Sequence, residues 1–315
     1  MTTSASVNFT INRDEIIRTA LEDIGFCAFG DGIDPNIVES AARKLNLMVK
    51  AWMAKGAHLW AMSQATLFLV PRTASYSLGP AGANCSNSYE QTTLSVGAAA
   101  SATTLSLTAT TGMSAGDNIG ILLDSGTIQW TTISGAPGSP TTIANALTGV
   151  ASAGAVVFAY TTRINRPQRI DTEGAYWRSA ALNDTPIRMI SRDEYAQLSN
   201  KTSYGKIVQA VYDPQLGAGT LSVWPTPDLA SDVLRFWYER PLEDFDAAGD
   251  TPDFPIEWGL PLTSNLADLL VDNPRFQVDP LTRARIKQRA VESLDIAMGY
   301  DRENTSILFQ PDLRY

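Results

Sequence analysis

The chain has 315 residues, 44% of them hydrophobic and 18% charged, with a formal net charge of −9. That is enough for one large domain or two ordinary ones with real apolar cores, and it argues against a DNA-binding surface spread over the whole chain. An acidic conduit that repels phosphate and lets DNA slide remains compatible with it.

Cys27 and Cys85 stand far apart with no CxxC spacing and no neighbouring histidine, so neither a disulfide framework nor a zinc site is expected, and no cofactor. Met1–Thr10 lacks a signal-peptide layout, and no window approaches 18 consecutive apolar residues, so no membrane contact is expected. The expected setting is a reducing cytoplasm.

Asn12-Arg13-Asp14-Glu15 reads as a capping box. Ile16, Ile17, Ala20, Leu21 and Ile24 follow at helical spacing, with Gly25 suited to the position just past the helix end. Asp34-Pro35 opens a longer helix striped by Val38, Ala41, Ala42, Leu45, Met48, Val49 and Trp52, which Gly56 should stop. Residues 64–70 and 74–78 then read as two strands around a turn at Pro71. Residues 86–160 contain no Lys, Arg or His, and their only acids are Glu90, Asp117 and Asp124. Their short Thr-, Val- and Ile-rich runs alternate with Gly-rich turns, the texture of a small all-β sandwich or barrel inserted into a loop.

Strand texture resumes from Arg163, with Ser191-Arg192-Asp193-Glu194 capping a short helix. Residues 220–224 and 233–238 are expected to pair as a hairpin across Pro225-Thr226-Pro227-Asp228. Trp224, Trp237, Tyr238 and Trp258 crowd around it, as core packing or as anchors of a subunit interface, and both readings stay open. Asp253-Phe254-Pro255 opens a helix that Pro261 should kink, with Leu266, Leu269 and Leu270 buried. Asp279-Pro280 opens the last helix, with Ala284, Val291, Leu294 and Met298 on one side and Gly299 at its end. Arg283, Arg285, Lys287 and Arg289 alternate along its flanks, which favours salt bridges or pairs between subunits over DNA contact.

Neither terminal helix pair can bury its stripe alone. The expected class is therefore α+β: a discontinuous four-helix bundle from both chain ends plus a β domain, an inserted all-β module and an extended C-terminal arm. The expected limits are 11–85 with 162–300 for the parent domain, 86–161 for the module and 301–315 for the arm.

Candidate chemistry is sparse. Asp244-x-Asp246-x-x-Gly249 resembles the start of a calcium loop, but Pro255 stands where the bidentate glutamate belongs, so a solvated or lumen-facing acidic loop is the better reading. His58, the only histidine, sits beside Leu59 and Trp60 with no GxSxG in the chain, which favours packing over catalysis. Residues 25–32 lack the Lys-Ser/Thr of a phosphate loop and carry Asp31. No carboxylate pair stands out for glycoside hydrolysis. The segment 300–315 carries Ile307, Leu308, Phe309, Pro311, Leu313 and Tyr315, too apolar for a solvated tail.

Five ordered stretches carry a resemblance. They are residues 58–70 with Tyr76-Ser77-Leu78-Gly79-Pro80, residues 190–195 with Asn200-Lys201-Thr202-Ser203, residues 221–227, residues 240–246 and residues 252–258. In that order, and over most of the chain outside 86–161, they resemble the head-to-tail adaptor proteins of short-tailed bacteriophages. Gly259-Leu260-Pro261 departs from the family, where the helix is usually uninterrupted. The resemblance implies a virion structural protein at the head–tail junction, assembled in the host cytoplasm as a ring of twelve subunits. Its partners would be the portal protein above, the tail nozzle below and genomic DNA passing through the lumen without sequence-specific binding. The C-terminal arm would dock on the portal; burying three of its apolar side chains contributes roughly 5 kcal/mol before ordering costs, and repetition around a ring multiplies the effect. The competing readings are a virion peptidoglycan hydrolase and a glycan- or surface-binding module built on residues 86–161.

Overall fold

The computed structural model describes residues 9–28, 30–55, 59–273 and 275–300. The protein is α+β, with five α-helices and several mostly antiparallel sheets among these residues. The helices are α1 (Arg13–Asp23), α2 (Pro35–Lys55), α3 (Arg192–Gln197), α4 (Gly259–Val271) and α5 (Pro280–Tyr300). None of the described helices is long and apolar enough to cross a membrane. The chain divides into two compact units, one formed by Met1–Ala61 with Leu242–Tyr315 and the other by Met62–Pro241. The divisions fall at 61/62 and 241/242, so α1, α2, α4 and α5 lie in one unit and the β structure, with α3, in the other.

In the helical unit, local chemistry sets the ends of the helices. The Asn12 side chain accepts from Glu15 N–H (2.9 Å) while the Glu15 carboxylate accepts from Asn12 N–H (2.8 Å). Helix α1 stops at Gly25, whose φ of 74° lets its N–H reach Glu22 O (2.9 Å) and Phe26 N–H reach Leu21 O (3.0 Å). Asp34 caps α2 and Asp279 caps α5; hydrogen bonds from the first-turn groups hold both carboxyls below their ordinary range.

Pro261 does not kink a helix. A 3₁₀ turn (Ile256–Trp258) precedes α4, and Pro261 is the third residue of α4 itself. Its missing N–H falls where no intrahelical acceptor exists, so it costs nothing there.

Helices α1, α2, α4 and α5 contribute to one apolar core that includes Ile16, Leu21, Leu45, Val49, Leu262, Leu266 and Ile286. Trp52, Trp60, Phe254 and Trp258 cluster against it, with Trp60–Phe254 centroids 4.8 Å apart. Helix α5 turns Ile286, Ala290, Ser293 and Ala297 inward, while Ala284, Val291 and Met298 are exposed and Leu294 is half-buried. The expected inward face is therefore wrong by roughly a third of a turn. Small residues let α5 approach α4 closely enough for Asn265 Nδ2 to donate to Ala290 O (3.1 Å).

The strands are β1 (Met62–Phe68), β2 (Ser75–Leu78), β3 (Cys85–Ser86), β4 (Glu90–Thr93), β5 (Thr104–Leu105), β6 (Asn118–Leu122), β7 (Ile128–Thr132) and β8 (Thr141–Thr142). They continue with β9 (Val156–Tyr160), β10 (Arg169–Arg178), β11 (Asp184–Pro186), β12 (Arg188–Met189), β13 (Tyr204–Gly205), β14 (Gln209–Asp213), β15 (Gly219–Trp224), β16 (Thr226–Pro227) and β17 (Val233–Glu239).

A five-stranded sheet, β11-β10-β17-β1-β3, and a four-stranded sheet, β12-β14-β15-β2, share one core. Leu67, Trp177, Leu234, Phe236 and Tyr238 come from the first, and Tyr76, Leu78, Ala210, Leu221 and Val223 from the second. That is a sandwich. The turn at Pro71 is a corner between its layers, because β1 and β2 belong to different sheets.

The expected 220–224/233–238 hairpin does not form. β15 pairs with β14 and β2, while β17 pairs with β1 and β10 in the other layer. Pro225 and Pro227 have no N–H to extend a ladder from β15, and β16 pairs with β13 instead. Placing β17 in the opposite layer points Leu234, Phe236 and Tyr238 into the shared core.

Residues 86–160 have a core of their own, with Leu94, Leu105, Ile119, Ile121, Ile133, Ile143 and Val157 between the β4-β9-β6-β7 sheet and the loops around β5-β8. The other face of that sheet carries Phe158, Tyr160 and Trp130. These pack with Tyr89 around Phe68, on the outer face of β1. Trp130 lies over Gly120, where a Cβ would sit 2.8 Å from three ring carbons.

Candidate functional site

Interaction surfaces, rather than a constellation for chemistry, stand out among the described residues. On the helical unit, an open groove of about 310 Å³ runs between α2 and α4, lined by Leu47, Ala51, Trp52, Asn265, Asp268 and Leu269. The outward stripe of α5 adds Val291, 53% exposed, and Met298, 41% exposed. Ala284, Val291 and Met298 recur at seven-residue spacing with Leu294 between the last two, a periodicity that suits packing against another helix.

Asp268 is half-buried beside this surface; burial first, and the Asp272 carboxylate second, push its carboxyl above the ordinary range against the opposing pull of Lys287 and Arg283. The four cations of α5 do not act alike. Arg283 pairs with Asp272, and Arg289 pairs with Asp23 of α1 at 3.0 Å. Arg285 and Lys287 are exposed and have no ion pair among the described residues.

The four aromatic residues read as one group are separated by the fold. Trp224 is half-buried on β15 and donates its indole N–H to Asn200 O (2.7 Å); Tyr238 is in the sandwich core; Trp258 belongs to the helical core. Trp237 faces outward on β17, 42% exposed. Strand alternation puts Trp237 and Tyr238 on opposite faces.

In the acidic loop, an open hollow is lined by Glu243, Asp244, Asp246, Asp250 and Asp253. Its carboxylates are largely occupied in shaping the turn. Asp250 accepts from Asp246 N–H (2.8 Å) and Ala247 N–H (2.6 Å), Asp253 accepts from Glu243 N–H (3.4 Å), and Asp244 pairs with Lys50 (2.5 Å). Among the described residues no group of three or more His, Cys, Asp or Glu is arranged to hold a metal ion. The 25–32 connector closes on itself, with Asp31 accepting from Ala28 N–H (2.9 Å). Gly56, His58 and the arm residues Ile307, Leu308, Phe309, Pro311, Leu313 and Tyr315 lie outside the described residues.

Charge is unevenly shared. Met1–Ala61 with Leu242–Tyr315 carries 13 Lys/Arg against 21 Asp/Glu, and Met62–Pro241 carries 11 against 12. Three of those 12 acids and none of the cations lie in residues 86–160. The sandwich outside that segment is thus the one positively charged part of an acidic chain. No local motif marks the α2–α4 groove, which needs two helices brought together, or this segregation, which averages away in the total.

No family model matches the chain, and no curated protein matches it.

Proposed function

We propose that this chain is a structural subunit of the ring that connects the portal of a short-tailed phage to its tail, acting by assembly and without an enzymatic step. In this reading α1, α2, α4 and α5 form a discontinuous four-helix bundle, residues 86–161 are an inserted all-β module, and 301–315 is an arm that docks on the portal. The ring has twelve subunits, holds the tail nozzle below, carries genomic DNA through its lumen without reading its sequence, and sits at the head–tail junction of the virion.

One observation supports this most. The two chain ends meet in a unit whose last helix keeps Val291 and Met298 outward and then hands the chain to an apolar segment. A helix apolar on two faces is suited to having its own core on one side and a neighbour on the other. Exposed Arg285 and Lys287 flank that stripe and are available to a neighbouring subunit's acids, and Trp237 offers a further exposed anchor. The ordered resemblance to head-to-tail adaptors points the same way.

Deleting residues 301–315 tests the arm. The truncated chain should fold, with an unchanged circular-dichroism spectrum, and should no longer attach to portal-bearing heads. Attachment at the full-length level would remove the arm from the proposal.

A further inference from the structure

One end of the sandwich gathers cations that form no ion pair among the described residues, in a chain where acids are in excess. Segment 200–206 laces along the 224–227 corner there. Asn200 O accepts from Trp224 Nε1 (2.7 Å), Ser203 O accepts from Thr226 N–H (2.9 Å), and β13 runs parallel to β16. Arg72 joins them from the other corner, its N–H donating to Pro227 O (2.8 Å).

Three exposed side chains on these segments lie over aromatic rings, with Lys201 Nζ also donating to Ala196 O (3.1 Å) and Lys206 near enough to Asp232 to pull its carboxyl downward. The Arg72 guanidinium lies 5.1 Å from the Tyr204 ring centroid, Lys201 Nζ 5.4 Å from that of Tyr195, and Lys206 Nζ 4.9 Å from that of Trp177. Most arginines elsewhere are taken: Arg13, Arg43, Arg169, Arg178, Arg188, Arg192, Arg275, Arg283 and Arg289 all have carboxylate partners. Two acids qualify the patch. Asp228 is exposed on the same corner, and Asp232 is buried, accepting from Ala180 N–H (3.0 Å).

We infer that this end of the sandwich binds the phosphodiester backbone of nucleic acid, with Arg72, Lys201 and Lys206 contacting phosphates and Tyr204 offering a stacking face. Tyr204 is 63% exposed, with Arg72 over one side of its ring. Cations held over aromatic rings keep their charge outward and their positions fixed, an arrangement suited to a backbone of regularly spaced phosphates. An acidic polypeptide would match the charge but would not use the open ring. Nothing here reads base edges, so binding is independent of sequence. This goes beyond a conduit in which acidic walls only let the duplex slide, and it does not depend on ring formation.

The test is fluorescence anisotropy of the full chain with a labelled 20-base-pair duplex and, separately, a labelled 20-nucleotide single strand, between 50 and 200 mM salt. Three phosphate contacts give a log–log salt slope of about −2.7 on duplex, hence about a 40-fold loss of affinity across that range. The triple variant Arg72→Gln, Lys201→Gln, Lys206→Gln should flatten the slope toward zero while its thermal midpoint stays near that of the parent. A control that removes three cations from the helical unit, Arg18→Gln, Arg43→Gln, Lys44→Gln, should keep it.

Absence of binding to both probes at 50 mM salt overturns the inference. So does an equal slope for parent and triple variant, or equal salt-sensitive binding of poly-glutamate, which would make the patch a protein-docking surface. Failure here, in a chain that still caps portals, leaves the ring proposal standing.

Discussion

Phe68 is the hub that joins residues 86–160 to the sandwich, and its truncation measures how tightly they are joined. Its ring is 2% exposed and lies 5.0 Å from Trp130, 5.0 Å from Phe158, 5.4 Å from Tyr89 and 5.6 Å from Tyr160, centroid to centroid. Removing a buried phenylalanine to alanine costs about 3–5 kcal/mol through lost transfer energy and the cavity left behind. Phe68→Leu keeps much of the apolar volume but removes the ring pairs, each worth about 0.5–1.5 kcal/mol, so about 1–3 kcal/mol is expected once partial repacking is allowed. Urea unfolding read by tryptophan fluorescence and by far-ultraviolet circular dichroism separates the outcomes. Residues 86–160 have their own core, so Phe68→Ala should split the β-unit transition into two and shift its fluorescence-detected part. A Phe68→Ala/Phe158→Ala double-mutant cycle should return a coupling of about 0.5–1.5 kcal/mol. A cost below about 1 kcal/mol for Phe68→Ala, with a coupling near zero, would refute the seam.

Four further outcomes follow from the same structure. Gly120→Ala forces the Trp130 ring away from contacts of 2.8 Å and should cost about 1–3 kcal/mol with a shift in tryptophan emission. Asn12→Ala removes the α1 capping box and should lower stability by about 1 kcal/mol in urea melts. Asp268→Asn should raise the urea midpoint at pH 7 and lose that gain toward pH 4. The folded carboxyl is pushed up by burial and by Asp272, so the penalty is absent below the unfolded pKa, grows as pH rises from there toward the raised folded value, and is complete above it. Val291→Asp with Met298→Asp changes exposed positions and should leave the monomer folded by circular dichroism while preventing ring assembly in sedimentation velocity.

The sequence revealed what is set within a few residues. The capping boxes at Asn12/Glu15 and Ser191/Glu194 form with both reciprocal bonds, and Asp34-Pro35 and Asp279-Pro280 open helices. Such signals are legible because the atoms that satisfy each other are close in the chain. Pairing was less legible. The turn residues place 233–238 beside 220–224, but two strands joined by a short link can equally fold back across a sandwich, and only the core residues of the other layer decide between them.

Helix α5 shows a different limit. It carries a small-residue stripe, Ile286-Ala290-Ser293-Ala297, and a larger one, Ala284-Val291-Met298. Periodicity detects both but cannot say that close approach to Asn265 favours the smaller. The surfaces singled out for function were hidden for a related reason. Arg72 lies about 130 residues before Lys201 and Lys206, and the α2–α4 groove joins Leu47 to Leu269.

The ring proposal is tested most directly by electron microscopy of the purified chain mixed with the portal protein of a short-tailed phage. The expected image is a closed ring of twelve copies seated on the portal with an open central channel. A chain that stays monomeric beside bare portals under those conditions would contradict it.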